Sequence, residues 1–124
     1  MQDAALILGG LLGAATAVVH GVLIQRFVAA PIAAIAKGRV PDTIGRLWPA
    51  ILQFSTFNWL VSGAALIAAA VWLGPQAKVA IGLLVASSYA FAAIGNFWAT
   101  RGRHPGWILM SLALAAIGVG LTSR

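Results

Sequence analysis

Hydrophobic residues fill four long runs of this chain, and polar residues gather between them. The runs cover about Ala4–Val28, Leu47–Leu73, Ala77–Ala99 and Pro105–Leu121. A helix that crosses a bilayer needs about 20 apolar residues, so each run is read as one span. The pattern predicts a single transmembrane domain over residues 1–124, an all-α, integral membrane four-helix bundle. An even number of spans puts both termini on the same side.

The connections differ in length and chemistry. Residues Ala29–Arg46 form the longest. Pro31 is expected to stop or bend the first span, because it lacks an N–H and restricts the residue before it. "PIAAIAKGR" then suits a short interfacial helix closed by Gly38. Asp42 or Thr43 is a candidate N-cap for the second span, which places Pro49 in or just after its first turn. "LGPQAK" and "TRGRHPGW" are tight links, with Pro105 at a helix start.

Composition strengthens the membrane reading. The chain is 61% hydrophobic and only 8% charged, against about 25% charged residues in a soluble domain. Its net charge is +6. In another setting that would suggest nucleic acid, but here the basic residues sit at the ends of apolar runs, as topology signals do. Arg26, Lys37, Arg39, Arg46, Arg101 and Arg103 flank the first and third connections, and Lys78 and Arg124 lie opposite. The excess places those two connections in the cytoplasm and both termini on the outer side. Trp48, Trp98 and Trp107 fall near the inner interface and Trp72 near the outer one, as an aromatic belt would. The apolar N-terminus resembles a signal peptide but has no positive n-region and runs on to Val28, so it is read as a retained span.

Small residues recur every fourth position, at Gly9, Gly13, Ala17 and Gly21 in the first run and at Gly82 and Ala86 in the third. Such stripes allow close helix approach within a bundle or a dimer. Polar residues inside the spans are costly and are functional candidates by default. His20, Gln53, Asn96 and Ser111 fall at similar depth toward the cytoplasmic end, His20 about 9 Å from Arg26 by helical rise. Thr56 and Asn58 continue the polarity inward, and Gln25 lies next to Arg26. The set His20, Gln25, Gln53, Thr56, Asn58, Asn96 and Ser111 is the candidate ligand site. Arg26, Arg46, Arg101, Arg103 and His104 are candidate contacts to lipid headgroups. The same polar set also serves a plain structural reading, a hydrogen-bonded network that fixes helix register.

Absent residue types narrow the chemistry. No Asp or Glu lies inside a run, which argues against a carboxylate proton relay or a cation-coupled transport site. Neither a carboxylate pair nor a complete nucleophilic triad is visible, so no catalytic residue is assigned. Cysteine is absent, which removes disulfides and thiolate metal sites. His20 and His104 together are a weak signal for haem ligation.

The motifs also resemble a family of small bacterial four-helix membrane proteins without an assigned function. In that family the first span carries His, Leu, Glu and then Pro, matched here by His20, Leu23, Gln25 and Pro31. Its second span has an Arg, a Trp-His pair, hydroxyl residues and a Trp. Arg46, Ser55, Thr56 and Trp59 fit, whereas Leu52 and Gln53 replace the Trp and the His. "RHPGW" reproduces the opening of its last span. The resemblance implies a multi-pass protein of the bacterial inner membrane. Gln25 and Gln53 stand where it would have titratable groups, and glutamine cannot ionise or relay a proton near neutral pH. Three functions are weighed. The first is a non-enzymatic protein whose cytoplasm-facing cluster holds a lipid, quinone or similar amphiphile. The second is an accessory or scaffold subunit of a larger membrane complex, and the third a small dimeric transporter.

Overall fold

Pro31 does not end the first helix. The computed structural model describes residues 1–123, and in it α1 (Gln2–Ile24) passes through one π-helical turn (Gln25–Ala29) into α2 (Ala30–Ala36). In an α-helix the proline ring would clash with the carbonyl four residues earlier, that of Phe27. Widening one turn relieves this crowding. Here the Ala30 N–H reaches back to the Gln25 carbonyl, an i to i−5 bond of the kind that defines a π-bulge. The expected break at Pro31 is thus replaced by a continuous rod. Gly38 closes it as expected. It takes φ 73°, and the Arg39 N–H bonds to the Ala36 carbonyl at 2.9 Å. With Lys37 at φ −55°, ψ 121°, this is the geometry of a type II turn, which favours glycine at its third position.

The next helix, α3 (Asp42–Trp72), begins well before its apolar run. Neither Asp42 nor Thr43 is the N-cap; Pro41 holds that place and makes no side-chain cap, and Asp42 is the first helical residue. Its negative charge still complements the positive end of the helix dipole. Because the helix starts early, Pro49 lies inside it instead of in its first turn. A proline there cannot donate to the carbonyl of Gly45. Gly74 and Pro75 turn the chain into α4 (Pro75–Thr100). Left-handed Arg101 and Gly102, φ 51° and 74°, end that helix. Pro105 then opens α5 (Gly106–Thr122).

The result is an all-helical bundle. The first helix packs along α3 and α5, α4 packs along α5, and the seam between α3 and α4 is sparse. Glycines set the close approaches. A Cβ on Gly10 would lie 2.7 Å from the Gly63 carbonyl oxygen, and one on Gly63 would lie 2.5 Å from that of Gly10. So the α1–α3 crossing is backbone on backbone. Gly9 faces Ile117 of α5, and Gly120 of α5 faces Leu6. The small-residue stripe of the first run is therefore occupied within the monomer. Tyr89 sits at the centre, fully buried. Its ring fills the space beside Gly13, where any side chain would overlap it, and its hydroxyl donates to the Trp59 carbonyl at 3.2 Å. Three helices meet in that one side chain.

The outside of the bundle is as apolar as the inside. Phe57, Leu84, Phe91, Ile94 and Trp98 are all largely exposed. Three helical segments, Gln2–Ala36, Asp42–Trp72 and Pro75–Thr100, are long and apolar enough to cross a membrane, whereas α5 is a shorter apolar helix. Arg26, Lys37, Arg39, Arg46, Arg101 and Arg103 collect at one end of the bundle, which we call the basic end. At the other end Lys78 pairs with Asp3 at 2.6 Å, joining the starts of α4 and α1.

The packing makes a direct prediction. Gly13→Ala forces Tyr89 out of place and should cost about 1–3 kcal/mol, the usual penalty for overpacking. Gly118→Ala, whose Cβ meets nothing within 4 Å, should leave stability unchanged or slightly raised. Unfolding in a mild detergent, followed by the loss of helical circular dichroism, separates the two.

Candidate functional site

Below the Tyr89 contact, toward the basic end, α3 and α4 part. A cleft of about 530 Å³ fills the seam. His20 of α1, Ser55, Asn58 and Trp59 of α3, and Ser88 and Asn96 of α4 supply its polar lining. Ile51, Phe54 and Phe91 form an apolar rim, and each of these three is more than half exposed. The site is thus a lateral opening with a polar floor.

Each floor residue is held by a specific bond. His20 packs its ring against Trp59, centroids 4.5 Å apart and planes tilted by 52°, and its Nε2 lies 3.2 Å from Ser55 Oγ. The Ser55 hydroxyl donates its only proton to the Leu52 carbonyl at 3.1 Å. With that proton spent, Ser55 Oγ accepts from His20 Nε2–H. Asn58 donates to Ser88 Oγ at 2.7 Å across the seam. Asn96 donates along its own helix to the Ala92 carbonyl at 2.9 Å. Each bond uses one of the two N–H groups of its amide, so Asn58 and Asn96 each keep an N–H as well as Oδ1, and Ser88 keeps its O–H. The floor offers donors and acceptors together.

The remaining predicted residues lie elsewhere. Gln53 turns toward α1, donating to the Gly21 carbonyl at 3.1 Å and to Gln25 Oε1 at 3.4 Å. Gln25 and Gln53, two of the three positions at which the motifs depart from the resemblance, thus meet each other beside the start of the π-turn. Thr56 is wedged against Gly21, and its buried hydroxyl has no partner. Ser111 bonds back to the Trp107 carbonyl at 2.8 Å, within its own helix. His104 accepts from the Gly106 N–H through Nδ1 at 3.0 Å and so tethers the start of α5. Arg26, Arg46, Arg101 and Arg103 are exposed at the basic end. Among the described residues no group of three or more His, Asp or Glu side chains is placed to hold a metal.

Sequence reasoning had His20, Asn58 and Asn96 among its candidates. It did not assign Ser55, Trp59, Ser88 or Tyr89 to the site. The signal available was spacing: Ser55, Asn58 and Trp59 share a face of α3 at helical intervals. Comparison with protein-family models, curated proteins and solved structures finds no match to this chain.

A double-mutant cycle tests the cross-seam bond. Asn58→Ala and Ser88→Ala should each destabilise the bundle and couple by about 0.6–2 kcal/mol, the range for such bonds between apolar helices. Gln53→Ala and Ser88→Ala, which share no partner, should be additive.

Proposed function

We propose that the protein is a non-enzymatic, multi-pass membrane protein that holds an amphiphile in the lateral cleft. The observation that carries this reading is the pairing of an apolar rim, open along the flank of the bundle, with a floor of neutral polar groups. Amphiphile sites are mostly apolar with a few polar groups that fix orientation. A tail runs along Ile51, Phe54 and Phe91, and a head reaches His20, Asn58, Ser88 and Asn96. Because the floor presents both donors and acceptors, it suits a head that can do both, such as a hydroxylated lipid or a quinol. No charged group lines the cleft, so the head is uncharged.

The membrane setting rests on the apolar exterior. Soluble monomers rarely expose contiguous apolar patches beyond a few hundred Å², whereas lipid is a suitable solvent for Leu84, Phe91 and Ile94. We infer four spans, with α5 crossing as a 17-residue helix at the short limit for the ~30 Å core. The basic end faces the cytoplasm and the Asp3–Lys78 end faces outward, by the positive-inside rule. The resemblance read from the sequence motifs supports a bacterial inner membrane as the setting.

Two measurements test this. The chain has no cysteine, so single introduced thiols report topology cleanly. A membrane-impermeant maleimide should label Gly74→Cys in spheroplasts and Arg39→Cys only after permeabilisation; the opposite pattern would refute the orientation. Native mass spectrometry from mild detergent should show a small lipid-soluble molecule on the wild type. Asn58→Leu should lose it while keeping its helical content. Wild type without any adduct, or equal retention by the variant, would refute the binding role.

A further inference from the structure

The lateral cleft limits what kind of head can occupy it, and depth sets the first limit. With Arg26 and Arg101 marking the interface, as in the four-span reading, helical rise puts His20 and Asn96 about 8–9 Å inside it and Ser88 about 20 Å inside. Hydrogen bonds level α3 with them, Ser55 with His20 and Asn58 with Ser88. The polar lining thus runs from below the interface to about the middle of a ~30 Å core. Nearer the basic end, Ile24, Ile51 and Leu52 line the cleft. A phosphate at the depth of the polar lining would shed its water with no cation beside it, because the described arginines and lysines lie at the ends of the bundle. An acyl chain there would leave the polar lining without partners.

Shape sets the second limit. On α4 the cleft is lined by Ala92 and Gly95, which lie between Ser88 and Asn96. A Cβ on Gly95 would meet nothing within 4 Å, so this wall carries at most a methyl group. Facing it across the seam are Trp59 and the His20 ring packed on it at 4.5 Å, and Phe54 and Phe91 stand at the rim. A slot between rings and a bare helix wall admits a plate more readily than a branched, flexible group. Aromatic pairs also gain attraction beyond the area they bury. A rigid ring brings its oxygens already placed, whereas a glycerol head must be ordered bond by bond.

We propose that the head is a flat, uncharged ring with oxygens at its edge, as in a prenylated hydroquinone. The ring lies between Ala92 and Gly95 on one side and Trp59 and His20 on the other. Its hydroxyls donate and accept, and the amides of Asn58 and Asn96 and the Ser88 hydroxyl can answer both. Its chain leaves past Phe54 and Phe91 into the lipid. This inference rests on the amphiphile reading and narrows it: a flexible neutral lipid in the cleft satisfies that reading and contradicts this one.

The test titrates purified, delipidated full-length protein with three probes and counts bound molecules by native mass spectrometry. The probes are a para-hydroquinone carrying a decyl chain, dioctanoylglycerol and phosphatidylcholine. The hydroquinone should bind about tenfold more tightly than either lipid. Gly95→Leu, which puts a side chain into the slot and removes no polar group, should weaken it by about tenfold or more. Gly118→Leu should bind it as the wild type does, because position 118 is equally open and does not line the cleft. If dioctanoylglycerol binds as tightly as the hydroquinone and Gly95→Leu weakens both, the ring is overturned and the amphiphile reading stands. If no probe binds, both fall. Phosphatidylcholine as tight as the hydroquinone would overturn the proposal, and so would an equal loss in Gly118→Leu. If Gly95→Leu fails to fold, Gly95→Ala and Asn58→Leu decide the matter, and wild-type affinity for the hydroquinone in both overturns it.

Discussion

The bundle depends on one close fit, the Tyr89 ring in the gap beside Gly13. Without a side chain at position 13, α1 and α4 face each other across the bundle at a distance that a single phenol can bridge. The Tyr89 hydroxyl then reaches the Trp59 carbonyl at 3.2 Å, which ties the third helix to the other two. Trp59 in turn carries the His20 ring on its face at 4.5 Å. Position and orientation thus pass from a glycine to a tyrosine, a tryptophan and a histidine. The glycine contacts Gly10–Gly63, Gly9–Ile117 and Gly120–Leu6 play the same part nearer the opposite end. They hold that half tightly closed.

Closure at one half explains the opening at the other. Between Trp59 and the basic end no glycine draws α3 and α4 into backbone contact, Gly95 in the cleft having open space beside it, and the sole direct polar link between their side chains is Asn58–Ser88 at 2.7 Å. A tighter approach would bury the polar groups of Ser55, Asn58 and Asn96, and any left without a partner is costly in an apolar surround. The same polar groups that keep the seam apart are those that the proposed amphiphile would meet. The π-turn adds to this arrangement, since the Gly21 carbonyl just ahead of that turn also accepts from Gln53 at 3.1 Å.

Much of this was legible from hydropathy alone, and the reasons for what was not are specific. Four apolar runs locate four helices because burial and span length write themselves into composition. The runs do not locate the helix ends at the basic side. Residues 42–46, which include Asp42, Thr43 and Arg46, continue α3, and Pro31 is absorbed by a change of helix type that no single residue announces. The small-residue stripe announced close packing, but not that Tyr89 would fill it, since a partner across the bundle depends on helix rotation. The same rotation decides the site. His20, Asn58 and Asn96 reach the cleft, whereas Gln53 and Thr56, on a neighbouring face of α3, turn to α1, and Ser111 bonds within its own helix.

In the proposed reading, a bundle closed around Tyr89 leaves a lateral cleft that an amphiphile fills. An experimental density map of the protein in lipid nanodiscs tests this most directly. It should show Tyr89 against Gly13, α3 and α4 parted below Trp59, and an elongated density that enters past Phe54 and Phe91 and ends at His20, Asn58 and Asn96. A map in which Phe54 and Phe91 meet across a closed seam, with nothing between them, would contradict it.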